Sequence, residues 1–276
     1  MKTWARFILS HSLFVSLCAV ALCLQTYILL DLKVSILVLI AVFLATLSGY
    51  NYYWLACKYF SKQQVGIVFF IREERSHFFL FICSSLALIY FLIIIPAIFL
   101  VIITGTFFTF LYSIPVIQLK MLKHIGKAGF LKTFLLAFVW AFVTVFAPFS
   151  LTKDASIDAV LLLFVTRFLF ILMLCIIFDM RDVAVDKIKS LSSIATDMST
   201  HQLKWLFDAV FLLYLISVLL IADVALVSLL PSGLITYVVY RLAARPRGYF
   251  FYYFIVDGLM LFSFIATYMA SFWLFC

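Results

Sequence analysis

Charge is what this sequence lacks. Only 12% of its 276 residues are charged, about half the share of a soluble domain. Glycine (8) and proline (5) are scarce, which excludes collagen-like and low-complexity chains. The six cysteines (Cys18, Cys23, Cys57, Cys83, Cys175, Cys276) are scattered, with no CxxC and no histidine pair beside them. A zinc ribbon or disulfide framework is therefore excluded, and the thiols read as buried apolar groups. No Ser-His-Asp arrangement, Walker loop, HExxH or EF-hand is present. His11, His77, His124 and His201 fall in different segments and at different depths, so no shared metal site is expected.

Hydrocarbon fills the space instead. Hydrophobic residues make up 67% of the chain, and mean hydropathy is +1.25. A membrane-spanning helix takes about 20 apolar residues, so nine spans would use roughly 180 and leave only short loops. Apolar runs fall at about 7–30, 33–56, 77–94, 95–114, 130–149, 156–178, 203–221, 223–241 and 249–275. Pro96 and Asp223 mark the two divisions where few polar residues intervene. The first run is too long for a signal-peptide core, and no small-residue cleavage site follows it, so it reads as a span. The expectation is an all-α polytopic membrane protein, one nine-helix domain over residues 1–276.

A net charge of +8 would suggest nucleic acid in a soluble chain. Here position matters more than the sum. With the N-terminus placed in the cytoplasm, seventeen lysines and arginines fall on inside segments, Lys58, Arg72, Lys120, Lys132 and Lys189 among them. Only Lys33 and Lys153 fall outside, and Arg167 lies within a span. That bias predicts an N-in, C-out multi-pass protein, with lipid and not nucleic acid around it.

Chemistry concentrates at the end of the sixth run, Phe178-Asp179-Met180-Arg181-Asp182-Val183-Ala184-Val185-Asp186-Lys187. On a continuing helix Asp179, Asp182 and Asp186 share one face. Three carboxylates in a stripe need positive charge between them, and hard oxygen ligands suit Mg together with substrate phosphates. A solvated helix end, offset by Arg181, Lys187 and Lys189, is the plainer alternative. Against it, three of only twelve acids are spent here.

This segment, followed by Ile188-Lys189-Ser190-Leu191, resembles the second aspartate motif (D-x-R-D-x-x-x-D) of the UbiA-type intramembrane prenyltransferases. The stretch Leu111-Tyr112-Ser113-Ile114-Pro115-Val116-Ile117-Gln118-Leu119-Lys120 resembles that family's tyrosine–proline–lysine segment after its fourth span. The resemblance implies a UbiA-like bundle around a central cavity, with Mg held by Asp179, Asp182 and Asp186. It also implies an isoprenoid diphosphate donor and a lipophilic or aromatic acceptor. Asp182 and Asp186 would act in catalysis, and Tyr112, Lys120 and Lys189 would bind substrate.

The departure is equally specific. The family's first motif, NDxxDxxxD, belongs where this chain reads Asn51-Tyr52-Tyr53-Trp54-Leu55-Ala56-Cys57-Lys58-Tyr59. Asn51 survives as a catalytic candidate, while Tyr52, Leu55 and Tyr59 stand at the aspartate positions. Two metals held between facing acidic clusters are then implausible. Lys58 and Arg72, on the same side, are candidates for the missing positive charge. Arg167 must face the bundle interior and find a partner; Asp257 is the expected one, in an ion pair. The leading function is prenyl transfer. A terpene cyclase on the same scaffold and an inactive lipid- or partner-binding protein are the alternatives. A transporter is disfavoured because the acids cluster at a membrane surface.

Overall fold

A backbone surrounded by lipid must satisfy its own N–H and C=O groups, and the helix does so within one segment. The computed structural model describes residues 8–61, 71, 73–113, 128–151, 155–189, 194–221, 223–245 and 247–275; of these, 60, 61, 112, 113, 128, 182–189, 223–225 and 273–275 are described in their backbone only. Among the described residues there is no strand. The helices are α1 (Leu13–Leu29), α2 (Ile36–Ser61), α3 (Arg75–Ile94), α4 (Phe99–Ser113), α5 (Ala128–Phe149) and α6 (Ile157–Lys189). After the one-turn helix Ile194–Asp197 come α7 (Thr200–Leu219), α8 (Asp223–Ala243) and α9 (Asp257–Phe275).

Seven helical segments among the described residues are long and apolar enough to cross a membrane, and two shorter apolar ones, Leu13–Leu29 and Pro96–Leu111, accompany them. This is an integral, multi-pass membrane protein. The break at Pro96 falls where expected. Ile95 leaves the helix at φ −123° and ψ 75°, outside the helical region that a following proline disfavours. A 3₁₀ turn over Pro96–Ile98 then leads into α4. Asp223 likewise opens α8. α7 starts on a capping box, in which Gln202 N donates to Ser199 Oγ (3.3 Å) and Ser199 N to Gln202 Oε1 (2.9 Å), satisfying two end donors.

Each helix packs on the next in the chain except α3, whose successor α4 lies mainly against α2 and α5, and α9 closes on α1. α6 is covered most completely: every residue from Leu169 to Ile177 is buried. A helix apolar on all faces needs neighbours on all faces, and α5, α7 and α8 supply them. α7 and α8 approach closely, since a Cβ on Gly233 would collide with the Tyr214 ring. There the Tyr214 hydroxyl donates to Leu229 O at 2.7 Å. The up-and-down order brings the ends of α2, α4 and α6 beside the starts of α3, α5 and α7. Contacts there join Lys58 on α2 to Glu74 before α3, and Asp179 on α6 to Thr133 on α5.

Candidate functional site

α6 continues as helix through Asp179, Asp182 and Asp186 to Lys189, so helical spacing puts the three acids on one face. Asp179 Oδ2 accepts a hydrogen bond from Thr133 Oγ1 on α5 at 2.6 Å. The preceding residue, Lys132, interacts electrostatically with Asp179. Its ammonium also lies 5.7 Å from the ring centroid of Tyr53 on α2. Arg181 turns to the other side of α6. Its guanidinium lies 5.2 Å from Phe178, 5.3 Å from Tyr252 and 4.9 Å from Tyr253, a set of ring faces that favours a cation. The side chains of Asp182, Asp186, Lys189 and Tyr112, and the whole of Arg72 and Lys120, lie outside the described residues.

The α2 face that resembles the lost first motif holds an internal network. Asn51 is fully buried. Its Nδ2 donates to Leu47 O at 2.8 Å and His11 O at 3.4 Å, and its Oδ1 meets His77 Nδ1 at 2.8 Å. Two carbonyls on one side of the amide fix its orientation, and His77 Nδ1 must then carry the proton. His77 stacks on His11, with centroids 4.5 Å apart and planes 8° from parallel. These two histidines, expected at different depths, are thus neighbours. Further along, Lys58 Nζ pairs with Glu74 Oε1 at 2.5 Å, Trp54 Nε1 donates to Glu74 Oε2 at 3.4 Å, and Lys58 lies 4.9 Å over the Trp54 ring. Burial alone would raise the Glu74 pKa; the bonds from Lys58 and Trp54 outweigh it and lower the value. Lys58 therefore has its charge offset by Glu74.

The three substituted positions do different work. Tyr52 sits between the rings of Phe81 and Phe110, at 5.9 Å and 4.5 Å. Leu55 is buried in the core and Tyr59 is exposed. None supplies the hard anionic oxygen that Mg requires. Among the described residues no group of three His, Cys, Asp or Glu side chains could hold a metal ion. Asp179 is the acid of the α6 face whose side chain is described.

Deeper in the bundle the α5 face that carries Thr133 continues through Trp140 and Thr144, seven and eleven residues on. Trp140 Nε1 donates to Tyr50 Oη at 3.1 Å. Tyr50, Trp140 and Thr144 border a cavity of about 420 Å³ between α2, α3, α4 and α5, whose wall also includes Thr46, Ser85 and Thr106. Thr46 and Thr106 give their protons to carbonyls of their own helices, at 2.9 Å and 2.8 Å. Among the described residues no charged side chain lines the cavity, so it suits hydrocarbon and not a headgroup.

Arg167, in the middle of α6, does not form the expected ion pair with Asp257; the one ion pair among the described residues is Lys58–Glu74. Its guanidinium donates to Leu22 O at 2.9 Å and reaches Thr144 Oγ1 and Thr26 Oγ1, each at 3.4 Å. The reason is depth. Arg167 precedes Asp179 by three helical turns, about 18 Å. Asp257, at the start of α9, interacts instead with Arg181 near the acidic end.

Sequence reasoning missed Lys132 and Thr133 as site residues and counted Lys132 only towards topology. The available signal was the helical spacing of Thr133, Trp140 and Thr144, seven and four residues apart. It missed the Asn51–His77–His11 contact because helix packing alone brings those positions together.

The fold is that of the UbiA-type intramembrane prenyltransferases. The chain superposes with a TM-score of 0.67 on the apo structure of a UbiA homolog from Aeropyrum pernix K1, covering 95% of this chain and 98% of that one at 14% identity. A second similar structure is that of a digeranylgeranylglyceryl phosphate synthase, with a TM-score of 0.58, coverage of 98% and 99%, and 14% identity. No protein-family model matches the sequence, and no curated protein matches it either.

Proposed function

We propose that this protein transfers a prenyl group from an isoprenoid diphosphate to a lipophilic or aromatic acceptor within the membrane, from a site that opens to the cytoplasm. The observation that supports this reading is the acidic face of α6, with Asp179 held by Thr133 of α5, while Trp140, about 10 Å further along α5, lines an apolar cavity of about 420 Å³. A polar head and an apolar tail would find adjoining environments there.

Prenyl transfer breaks the bond between the first carbon of the chain and the diphosphate oxygen. The leaving group takes the electron pair, and the allylic carbon becomes cationic until the acceptor attacks it and releases a proton. The protein must neutralise the first fragment and shelter the second. Asp179, Asp182 and Asp186 are the residues that would hold Mg, which when bound offsets the charge developing on the diphosphate. The faces of Tyr50 and Trp140 at the rim of the cavity stabilise positive charge without offering a nucleophile as strong as the acceptor. The apolar wall beyond them excludes water, which would otherwise capture the cation.

Detergent-purified protein incubated with radiolabelled C10 to C20 prenyl diphosphates and Mg tests this. Mg-dependent diphosphate release that Asp182→Asn and Asp186→Asn abolish is the expected result. A released cyclic hydrocarbon would establish the cyclase reading. No release and no binding would leave a non-catalytic scaffold, a reading favoured by the closed network around Asn51 and Glu74.

A further inference from the structure

α2 and the acidic end of α6 are joined through one side chain of α5. Lys132 projects from the first turn of α5, half-buried. Its ammonium stands over the Tyr53 ring of α2 at 5.7 Å and interacts with Asp179 of α6. The neighbouring Thr133 ties Asp179 to α5 at 2.6 Å, which fixes the lysine backbone beside the acid. A metal bridging α2 and α6 would need carboxylates on both helices, and Tyr52, Leu55 and Tyr59 supply none. We propose that Lys132, placed between Tyr53 of α2 and Asp179 of α6, is the built-in cation of the site and binds an anionic oxygen of the diphosphate directly. This deepens the transferase reading and rests on it.

Other basic residues fit this role less well. Lys58 is paired with Glu74, Arg181 packs on three aromatic rings, and Arg167 lies about 18 Å deeper. Lys132 also stands about two turns from Trp140 on the same helix, and Trp140 borders the apolar cavity. A diphosphate at Lys132 would therefore direct its chain into that space. A lysine carries one fixed charge and cannot bridge two carboxylate groups as a divalent ion does. The site should then require one Mg per diphosphate where two facing acidic clusters would take two.

The test is calorimetric titration of inorganic pyrophosphate into the purified full-length protein over a range of Mg concentrations. Wild type, Lys132→Gln, Lys132→Arg and Asp182→Asn are compared. One Mg per pyrophosphate is expected for wild type. Lys132→Gln should weaken binding roughly ten- to hundredfold through loss of a charge-assisted hydrogen bond, and Lys132→Arg should recover most of it. Wild-type binding with Lys132→Gln unchanged, or two Mg per pyrophosphate, would overturn the lysine assignment and leave the transferase reading standing. A Lys132→Gln protein that unfolds at lower temperature yet binds pyrophosphate normally when folded would reduce the lysine to a structural role and overturn it equally. Absence of pyrophosphate binding by wild type at every Mg concentration would overturn the transferase reading itself.

Discussion

Thr133 donates to Asp179 at 2.6 Å, so a hydroxyl on α5 determines where the leading carboxylate of α6 points. Thr133 is 3% exposed, and water cannot readily replace it. Thr133→Val keeps the shape and removes the donor. It should destabilise the protein by about 1–3 kcal/mol, the range for a hydrogen bond to a charged group. It should also raise the Mg concentration needed for half-maximal diphosphate release. Thr133→Ser should leave both nearly unchanged. Thermal unfolding and Mg titration of the reaction measure the two effects.

Asn51 is matched to its surroundings as an amide. Its nitrogen faces two carbonyls and its oxygen faces the His77 N–H. In Asn51→Asp a carboxylate oxygen would face Leu47 O and His11 O with no proton between them. A loss of roughly 2–4 kcal/mol is expected, because a buried charge would stand against acceptors. Adding an acid here should therefore unfold the site and not create a metal ligand. Unfolding temperatures with and without Mg check this, and Mg-dependent stabilisation of the variant would contradict it.

Glu74 gives the protein a defined acid sensitivity. Its folded pKa lies below the ordinary value of 4.5, because the Lys58 and Trp54 bonds outweigh burial. Such a group contributes stability that is fully present above its unfolded pKa and is lost as pH falls through the folded one. The unfolding temperature should therefore fall on acidification below about 4.5. Glu74→Gln should start lower at neutral pH and lose less over the same range. Parallel slopes for the two proteins would show that Lys58 contributes nothing through this pair.

Arg167 has no carboxylate partner among the described residues, and the groups it bonds keep other hydrogen bonds without it. Leu22 O also receives Thr26 Oγ1 at 3.1 Å, and Thr144 Oγ1 gives its own proton to Trp140 O at 2.7 Å. Arg167→Met should then change stability by less than about 2 kcal/mol, because it removes a desolvated charge along with its bonds. Arg167→Glu should prevent folding by setting a carboxylate against carbonyl oxygens. Yield and unfolding temperature in one detergent compare them.

Thr106 lies on the cavity wall. Thr106→Phe should fill part of the 420 Å³ and lower kcat/KM more for a C20 than for a C10 donor. Equal losses for both donors would place the chain elsewhere.

Composition and the length of its apolar runs determined that this chain is helical and embedded in lipid, because unbroken runs of about 20 apolar residues fit spanning helices and not the short alternating strands of a barrel. Local signals of one or two residues were legible too, such as the break at Pro96 and the acidic face of α6, since proline stereochemistry and helical spacing act over a few residues. Packing decided the rest. Whether Arg167 meets Asp257 or the carbonyl of Leu22 depends on how far each lies along its own helix and which way α1, α5 and α9 turn. Lys132 counts as one inside charge among seventeen in the sequence. It becomes a candidate anion-binding group only once α2 and α6 flank it, because electrostatic attraction acts across space and the residues it joins here are 53, 132 and 179.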